Sequence, residues 1–383
     1  MQWITDEDLR TWSRRTDARE LFIDLVGDLI RATVSDVRKF RFPGQSAGTL
    51  RGFDGDLKTT EAVSRVPAGH SKWEFGTTPT GKSKAEGDYT KRTNRTQANV
   101  MAENAFVMLN LHNWDTPTEP LVNWVAEKNL DGKWREVHFI DGTGLQKWLE
   151  EKPAVAARYA RNVLGKAPKN GALSTDEFWE RFNTSFKPPL TEAMLLCDRK
   201  KETEQLLDVL AGAPQNFTIA AENAEEVIAF AIAVIRTAPA ELRKTLEAKT
   251  MIVETLEAAQ FLQGTKDMVF LVWKGAEPLA SALGQRGPTL TAATGLQRKR
   301  PGLPLLDRPS ASAMAEAMGS MNIERQEAYE LATKCGRSLI ILRRLNPAAG
   351  IAEPAEWGHI PDGHPKLLHL WPVKLLQAGQ AGL

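Results

Sequence analysis

The chain has 383 residues, of which 42% are hydrophobic and 25% are charged, as in ordinary globular proteins. Its formal net charge of +1 excludes a strongly basic chain, so any binding of nucleic acid must depend on a local cluster of basic residues. The two cysteines, Cys197 and Cys335, are far apart and have no paired histidines, which argues against a zinc site or a disulfide framework.

The sequence predicts no targeting or membrane-spanning segment. The first twelve residues contain no apolar stretch of the kind found in signal peptides. The longest apolar run, residues 227–235, is too short to cross a bilayer. We therefore expect a cytoplasmic protein that makes no contact with a membrane.

The first part of the chain has the pattern of a mixed α/β domain over residues 1–165. Apolar residues recur at helical spacing over 17–39. Strands are predicted at 56–63, 72–75, 105–111 and 134–140, and helices at 83–103 and 145–164. Strands that alternate with helices in this way indicate a mixed sheet flanked by helices.

The remainder of the chain predicts a second α/β unit. Residues 166–186 are expected to form a linker, because the segment APKNG at 167–171 has a loop composition. Strands are predicted at 194–197, 217–220, 251–253 and 268–273, with helices at 201–211 and 223–236. This rhythm indicates a parallel sheet over residues 187–309. Residues 310–345 are predicted to be helical and lid-like, and residues 346–383, rich in Pro, Gly and His, to form an irregular tail.

The segment GTTPTGKS at residues 76–83 matches the phosphate-binding pattern G-x-x-x-x-G-K-[ST]. A working P-loop follows a buried apolar strand and opens a helix. Here the preceding strand carries two charges, Lys72 and Glu74, which is unusual for a fully buried parallel strand. A nucleotide-binding switch that uses this loop is therefore the weaker interpretation.

Two carboxylates next to predicted strands indicate a different chemistry. Asp54 lies between glycines in Gly-Phe-Asp-Gly, and Glu74 lies in the strand that follows. Hydrolysis of a phosphodiester needs a divalent ion, and Mg²⁺ or Mn²⁺ can be held by one or two carboxylates together with water and phosphate oxygens. Glu20, in the first helix, is a third candidate in a supporting position.

Residues 17–165 resemble the restriction-endonuclease-like (PD-(D/E)xK) domain at the N-terminus of large bacterial proteins of STAND-NTPase-like build, many of them suspected of phage defence. The segments that carry the resemblance are FPG at 42–44, GFDG at 52–55, VPAGHSKWEFG at 66–76 and KAEGDYTKR at 84–92. The resemblance implies that Asp54 and Glu74 are metal ligands and that DNA is the substrate.

The sequence departs from that family's pattern at one position. The lysine expected two residues after Glu74 is replaced by Gly76. Lys84 is our first candidate for its role, and Lys72, on the same strand face as Glu74, is the second. The residues expected to contact DNA phosphates are Lys82, Lys91, Arg92 and Arg95.

Residues 187–345 resemble, more loosely, the STAND-type nucleotide-binding fold of the same large proteins. The segments concerned are LLCDR at 195–199, AAENAEE at 220–226 and CGRSLIILRR at 335–344. Where a phosphate-binding loop would follow a strand, the chain has three glutamates, which would repel phosphate. The resemblance thus implies a degenerate P-loop-NTPase-like parallel α/β domain with a helical C-terminal part, acting as a regulatory or assembly module.

The sequence therefore predicts a metal-dependent DNA endonuclease coupled to a degenerate NTPase-like regulatory module, with a role in defence against phage or foreign DNA. The expected partners are DNA and either a second copy of the chain or a defence partner protein. The alternatives are the nucleotide-binding switch at residues 76–83 and a non-catalytic scaffold that binds DNA or protein.

Overall fold

The computed structural model describes residues 2–44, 52–79, 82–116, 118–166 and 170–345. Within these ranges, two five-stranded sheets with accompanying helices make an α/β structure, which confirms the predicted class. None of the helices in the described ranges is long and apolar enough to cross a bilayer. The tail predicted at 346–383 lies outside the described residues.

The first sheet is formed by residues in the first 140 positions. Its elements and the helices around it are α1 (Asp6–Trp12), α2 (Ala18–Thr33), β1 (Val37–Arg41), β2 (Gly55–Thr59), β3 (Gly69–Gly76), α3 (Lys82–Arg95), α4 (Ala98–Glu103), β4 (Asn104–Asn110), α5 (Leu121–Leu130), β5 (Glu136–Ile140), α6 (Gly142–Glu151) and α7 (Pro153–Asn162). The strands lie in the order β1-β2-β3-β4-β5. The first three are antiparallel, whereas β3, β4 and β5 run parallel, so helices fill the connections between them.

The helix predicted at 17–39 is shorter than expected. It ends at Thr33, because Val34 is already extended (φ −110°, ψ 133°). The residues that follow form β1, which the sequence did not predict, and β1 pairs antiparallel with β2. Val34 is apolar and continues the helical pattern of the sequence beyond the end of α2. Only the pairing with β2 identifies residues 37–41 as a strand.

The second sheet contains strands from the rest of the chain. Its elements are β6 (Ala172–Leu173), α8 (Thr175–Asn183), α9 (Glu192–Leu196), α10 (Lys200–Ala211), β7 (Asn216–Ala220), α11 (Ala224–Thr237), α12 (Ala240–Lys249), β8 (Thr250–Val253), α13 (Leu256–Leu262), β9 (Val269–Val272), α14 (Ala280–Gly284), β10 (Thr289–Ala293), α15 (Ala311–Met318), α16 (Arg325–Lys334) and α17 (Leu339–Leu345). The order is β6-β8-β9-β10-β7. The last four strands in this order are parallel, as predicted, and β6 joins the edge antiparallel to β8.

Two predictions for this half are wrong. The expected linker, 166–186, contains β6, which pairs with β8, and α8, whose aromatic side chains are buried. Residues 194–197, predicted as a strand, belong to α9 and the turn after it. A run of four apolar residues does not distinguish a short strand from a buried helix, and here the helix packs on α11.

One of the hydrophobic clusters contains buried residues of both halves. Its buried members include Leu25 and Trp73 from the first half and Met251 and Phe270 from the second. The contacts between α2, α7 and α12 lie at this junction. Because apolar side chains of both sheets lie in one cluster, the relative position of the halves is set by packing as well as by the connecting chain.

A largely buried arginine joins three helices beside this core. The guanidinium of Arg158, on α7, lies 3.0 Å from Asp176 on α8, 3.5 Å from Asp28 on α2 and 3.7 Å from Glu247 on α12. Burial raises the pKa of both Asp28 and Glu247, and the positive charge of Arg158 opposes that rise. Tyr159 also donates a hydrogen bond to Asp28 (3.1 Å). Arg158 is therefore the main counter-charge for acidic groups from both halves.

Replacement of this arginine is expected to destabilise the protein. In Arg158→Met the packing of the stem is kept, but three carboxylates lose their shared cation. We expect the free energy of unfolding at pH 7 to fall by up to about 3 kcal/mol, because the three carboxylates would keep only one arginine contact each, at 3.5 to 3.6 Å. Urea unfolding would measure the change, which should shrink as the pH is lowered and the carboxylates with raised pKa values become protonated.

The matched control is Arg161→Met on the same helix. Arg161 pairs with Glu180, which is largely exposed, so its loss should change the free energy of unfolding by less than about 1 kcal/mol. Equal losses in the two variants would contradict the role assigned to Arg158.

Candidate functional site

The structure brings the two predicted metal ligands together. The antiparallel register places Gly55 of β2 opposite Trp73 of β3, so Asp54 and Glu74 follow at the same end of the pair. Oδ2 of Asp54 accepts a hydrogen bond from the backbone N–H of Phe75 (3.1 Å). The carboxylates thus lie at neighbouring positions, with Asp54 held by the strand that carries Glu74.

The surroundings of Glu74 disfavour the ionised form of its carboxylate. Its side chain is only 11% exposed. Burial raises its pKa to about 7, and the negative charges of Asp54 and Asp88 add to the rise, while Arg92 opposes it. Nε of Arg92 lies 2.6 Å from Oε1 of Glu74, yet the buried Oε1 receives no aligned hydrogen bond. The negative charge of the Glu74 carboxylate is therefore only partly balanced by positive groups of the protein.

Lys84 and Asp88 lie beside Glu74. All three line a narrow cleft where β3 and β4 meet α3. Lys84 and Asp88, one helical turn apart, form an ion pair of 2.9 Å. Lys84, the first candidate for the role of the missing lysine, therefore lies beside Glu74. Asp88 was not among the predicted site residues, although its position four residues after Lys84 placed it on the same helix face.

The local packing explains why no lysine occupies position 76. A Cβ atom on Gly76 would lie 2.8 Å from Nδ2 of Asn110 in the adjacent strand β4. Any side chain there would require Asn110 to move. A lysine from α3 can reach the cleft without that clash, as Lys84 does.

The structure does not bring Glu20 to this cleft. Glu20 is exposed in the first turn of α2. That helix packs on the face of the sheet that carries Phe75, whose ring meets Phe22 at 5.2 Å. Since successive strand residues point to opposite faces, Glu74 and α2 lie on different sides of the sheet.

The basic residues of α3 fall into two groups. Lys82 pairs with Glu119 (2.5 Å), and Arg92 faces Glu74. Lys91 and Arg95 are exposed. Only the second group projects freely towards solvent, so the four residues do not form one phosphate-binding surface.

The loop that matches the P-loop pattern connects β3 to α3, and residues 80 and 81 in it lie outside the described residues. The backbone N–H of Lys82 donates to Oγ1 of Thr116 (3.1 Å), and its ammonium group is engaged by Glu119. In a P-loop the lysine reaches the outer phosphates of the nucleotide. Lys82 would have to leave its partner to do so.

The carboxylate pair fits a hard divalent ion only in part. In the described ranges, no three side chains of His, Cys, Asp or Glu are grouped as in a metal site. Asp54 and Glu74 supply two carboxylates, and Glu74 has a buried oxygen without an aligned donor. This donor set suits Mg²⁺ or Mn²⁺ with its remaining positions filled by water and phosphate, and does not suit an ion enclosed by protein ligands alone.

The corresponding turn in the second sheet, between β7 and α11, is occupied by ion pairs. Glu222 contacts Arg308 through both carboxylate oxygens (3.1 and 3.0 Å to Nε). Glu225 lies 3.0 Å from Arg343 on α17. One further pair, between the buried Arg199 and Glu226, measures 2.6 Å. The three glutamates around the start of α11 are thus each paired with an arginine of the chain.

The raised pKa of Glu74 predicts a pH-dependent stability. An unfolded glutamate releases its proton near its ordinary pKa of 4.5, whereas folded Glu74 keeps its proton up to about pH 7. Stability is therefore lost as pH rises through this window, by about 1 to 3 kcal/mol. Glu74→Gln cannot ionise, so relative to wild type it should gain stability between pH 5 and pH 8 in metal-free urea unfolding.

Glu61→Gln is the control, because Glu61 is an exposed carboxylate near the end of β2. It should follow the wild-type curve at every pH. A Glu74→Gln variant whose difference from wild type is the same at pH 5 and pH 8 would show that Glu74 has an ordinary pKa in the folded protein.

Comparison of the chain with protein-family models, with curated proteins and with solved structures found no match. The comparisons therefore assign the chain to no family. The candidate site has two adjoining carboxylates, Asp54 and the buried Glu74 with its raised pKa. Glu74 shares a cleft with Lys84 and a third acidic residue, Asp88.

Proposed function

We propose that the chain is a metal-dependent DNA endonuclease whose nuclease domain is coupled to a degenerate NTPase-like regulatory module. The observation that carries the proposal is that the buried carboxylate of Glu74, next to Asp54, has a raised pKa and a negative charge that is only partly balanced. A protein that buries a carboxylate at a cost to stability commonly does so at a functional site. The mixed sheet flanked by helices is the arrangement that the resemblance to restriction-endonuclease-like domains implies.

In this mechanism Asp54 and Glu74 would hold the divalent ion. When bound, the ion would supply an activated water and offset charge on the scissile phosphate. Lys84 lies in the same cleft and takes the part of the missing lysine, orienting the attacking water or stabilising the phosphate. Asp88 holds Lys84 through the ion pair and so positions its ammonium group.

Arg92 has a different role in this proposal from the one expected from the sequence. Its guanidinium lies against Glu74 and stacks at 5.0 Å from the ring of Phe53. It partly neutralises the carboxylate before the ion binds. If Glu74 held a divalent ion, the guanidinium of Arg92 would be available for a DNA phosphate, which is the contact expected from the sequence.

The second half would act as a regulatory module that needs no nucleotide. A helix N-terminus after a parallel strand is a site where phosphate binds readily, through free N–H groups and the helix dipole. At the start of α11 three acidic side chains would repel a phosphate: Glu222 just before the helix, and Glu225 and Glu226 in its first turn, each paired with an arginine. We propose that this module supports the nuclease in defence against phage or foreign DNA, as the resemblance implies.

Plasmid nicking tests the catalytic proposal. With Mg²⁺ or Mn²⁺, the wild-type protein should convert supercoiled plasmid to the open-circular form. We expect Glu74→Gln and Asp54→Asn to lower the rate by at least about 100-fold, because the ion loses a ligand. Lys82→Ala should cut at nearly the wild-type rate, since its ammonium group is paired with Glu119 outside the cleft.

If no metal supports nicking by the wild-type protein, the catalytic proposal fails and the non-catalytic scaffold is favoured. Retention of activity in Glu74→Gln would instead place the catalytic ligands elsewhere or identify a contaminating nuclease.

Hydrogen exchange tests the regulatory proposal. The double variant Glu222→Gln, Glu225→Gln removes the ion pairs of Glu222, just before α11, with Arg298 and Arg308, and that of Glu225 with Arg343 on α17. We expect amides of α17 to exchange about 2- to 10-fold faster, since each partly exposed ion pair contributes about 0.2 to 1 kcal/mol. Glu330→Gln, at an exposed position on α16, is the control and should leave exchange unchanged.

The same wild-type sample should show no rise in melting temperature with millimolar ATP and Mg²⁺, because a ligand stabilises only the fold that binds it. Stabilisation by ATP that disappears in Lys82→Ala would contradict this proposal and support the nucleotide-binding switch at residues 76–83.

A further inference from the structure

A group of basic side chains lies on the face of β1, β2 and β3 that is opposite α2. The register of the strands decides which residues share that face: Lys39 lies opposite Lys58, and Lys58 lies opposite His70. Asp56 of β2 likewise lies between Arg41 of β1 and Lys72 of β3, each directly opposite it in the sheet. We call this set the basic face; its members are Lys39, Arg41, Lys58, His70 and Lys72.

The basic face carries a surplus of positive charge. Its single carboxylate, Asp56, is shared by Lys39 (2.6 Å) and Lys72 (2.9 Å). Arg41 and Lys58 are exposed and have no ion pair in the described part of the chain. Four cations against one carboxylate leave a net charge of three on this part of the sheet, although the whole chain is close to neutral.

The basic face is continuous with the Asp54–Glu74 site. Lys72 and Glu74 lie two residues apart on β3 and therefore point to the same side. The ring of Phe53 lies between the two regions, 6.0 Å from Nζ of Lys72 and 5.0 Å from the guanidinium carbon of Arg92. A polyanion lying along β1 to β3 would thus reach the two carboxylates.

We propose that the basic face binds the sugar–phosphate backbone of the DNA and guides it to Asp54 and Glu74. This inference rests on the proposed function and names the surface that serves it. Protein partners are usually held by buried aromatic and aliphatic side chains, and the basic face offers none. Interfaces with nucleic acid are polar and strongly positive, as this face is.

The basic face is a different DNA-binding surface from the one expected from the sequence. The four basic residues predicted for DNA contact lie on α3, where Lys82 and Arg92 are held in ion pairs. On the sheet, Arg41 and Lys58 are exposed and unpaired within the described ranges. Since they require no rupture of an existing ion pair, they are better placed to make the first contact with phosphate.

Fluorescence anisotropy with a labelled DNA duplex in EDTA measures this binding without cleavage. The test variant is Arg41→Gln, Lys58→Gln, which removes two charges but no described ion pair. We expect Kd to rise roughly tenfold at low salt, and the slope of log K against log salt to fall by about 2, one for each lost phosphate contact. Thermal melting verifies that the variant is folded.

Two charge-matched controls locate the surface. Lys147→Gln, Lys200→Gln removes two exposed charges from α6 and α10 and should bind as the wild type does. Lys91→Gln, Arg95→Gln removes the exposed pair on α3 and should weaken binding less than the test variant. Loss of binding confined to the α3 variant, or a wild-type protein that does not bind DNA, would overturn the proposal.

The outcome is separable from that of the nicking assay. DNA binding that depends on Arg41 and Lys58 in a protein without nuclease activity supports the basic face and rejects the catalytic proposal. Nicking that persists unchanged in the Arg41→Gln, Lys58→Gln variant, with unchanged Kd, supports the catalytic proposal and rejects the basic face.

Discussion

The alternation of side chains along β3 is the constraint on which the first half depends. Trp73 and Phe75 enter the core shared with α2, so the residues between and beside them must face the other way. That opposite face receives Lys72 and Glu74. The same strand pairs with β2 on one side and β4 on the other, which brings Asp54 to Glu74. The hydrophobic core thereby determines where the polar site lies.

Buried charge is handled in two ways in this protein. At the junction of the halves, Arg158 contacts acidic groups from three helices, and these contacts contribute to the folded structure. At the candidate site, Glu74 has a pKa of about 7 and a buried oxygen with no aligned donor. The first arrangement offsets buried negative charge with a shared cation, whereas at Glu74 the contact with Arg92 leaves the pKa raised, so ionisation of this carboxylate lowers stability.

In the second half, ion pairs join the turn after β7 and the first turn of α11 to distant parts of the chain. Asn223 caps α11 by accepting a hydrogen bond from the backbone N–H of Glu225 (3.0 Å). Glu222, just before α11, pairs with Arg308, and Glu225 pairs with Arg343 on α17. These contacts connect the start of α11 to the C-terminal helices through side chains of the chain itself.

The sequence by itself determined the α/β class, the long amphipathic α2, the parallel character of the second sheet and the candidates Asp54 and Glu74, because periodicity and residue chemistry are local properties. Lys84 became a candidate through the family resemblance, which expects a lysine where the chain has Gly76. Tertiary structure alone decided the rest. β1 is a strand because β2 pairs with it, Asp88 joins the site because α3 lies over β3, and Glu20 is left out because α2 covers the other face. Strand pairing and the packing of a helix on one face of a sheet join distant segments, so the local pattern of residues did not determine them, even where spacing placed Lys84 and Asp88 on one helix face.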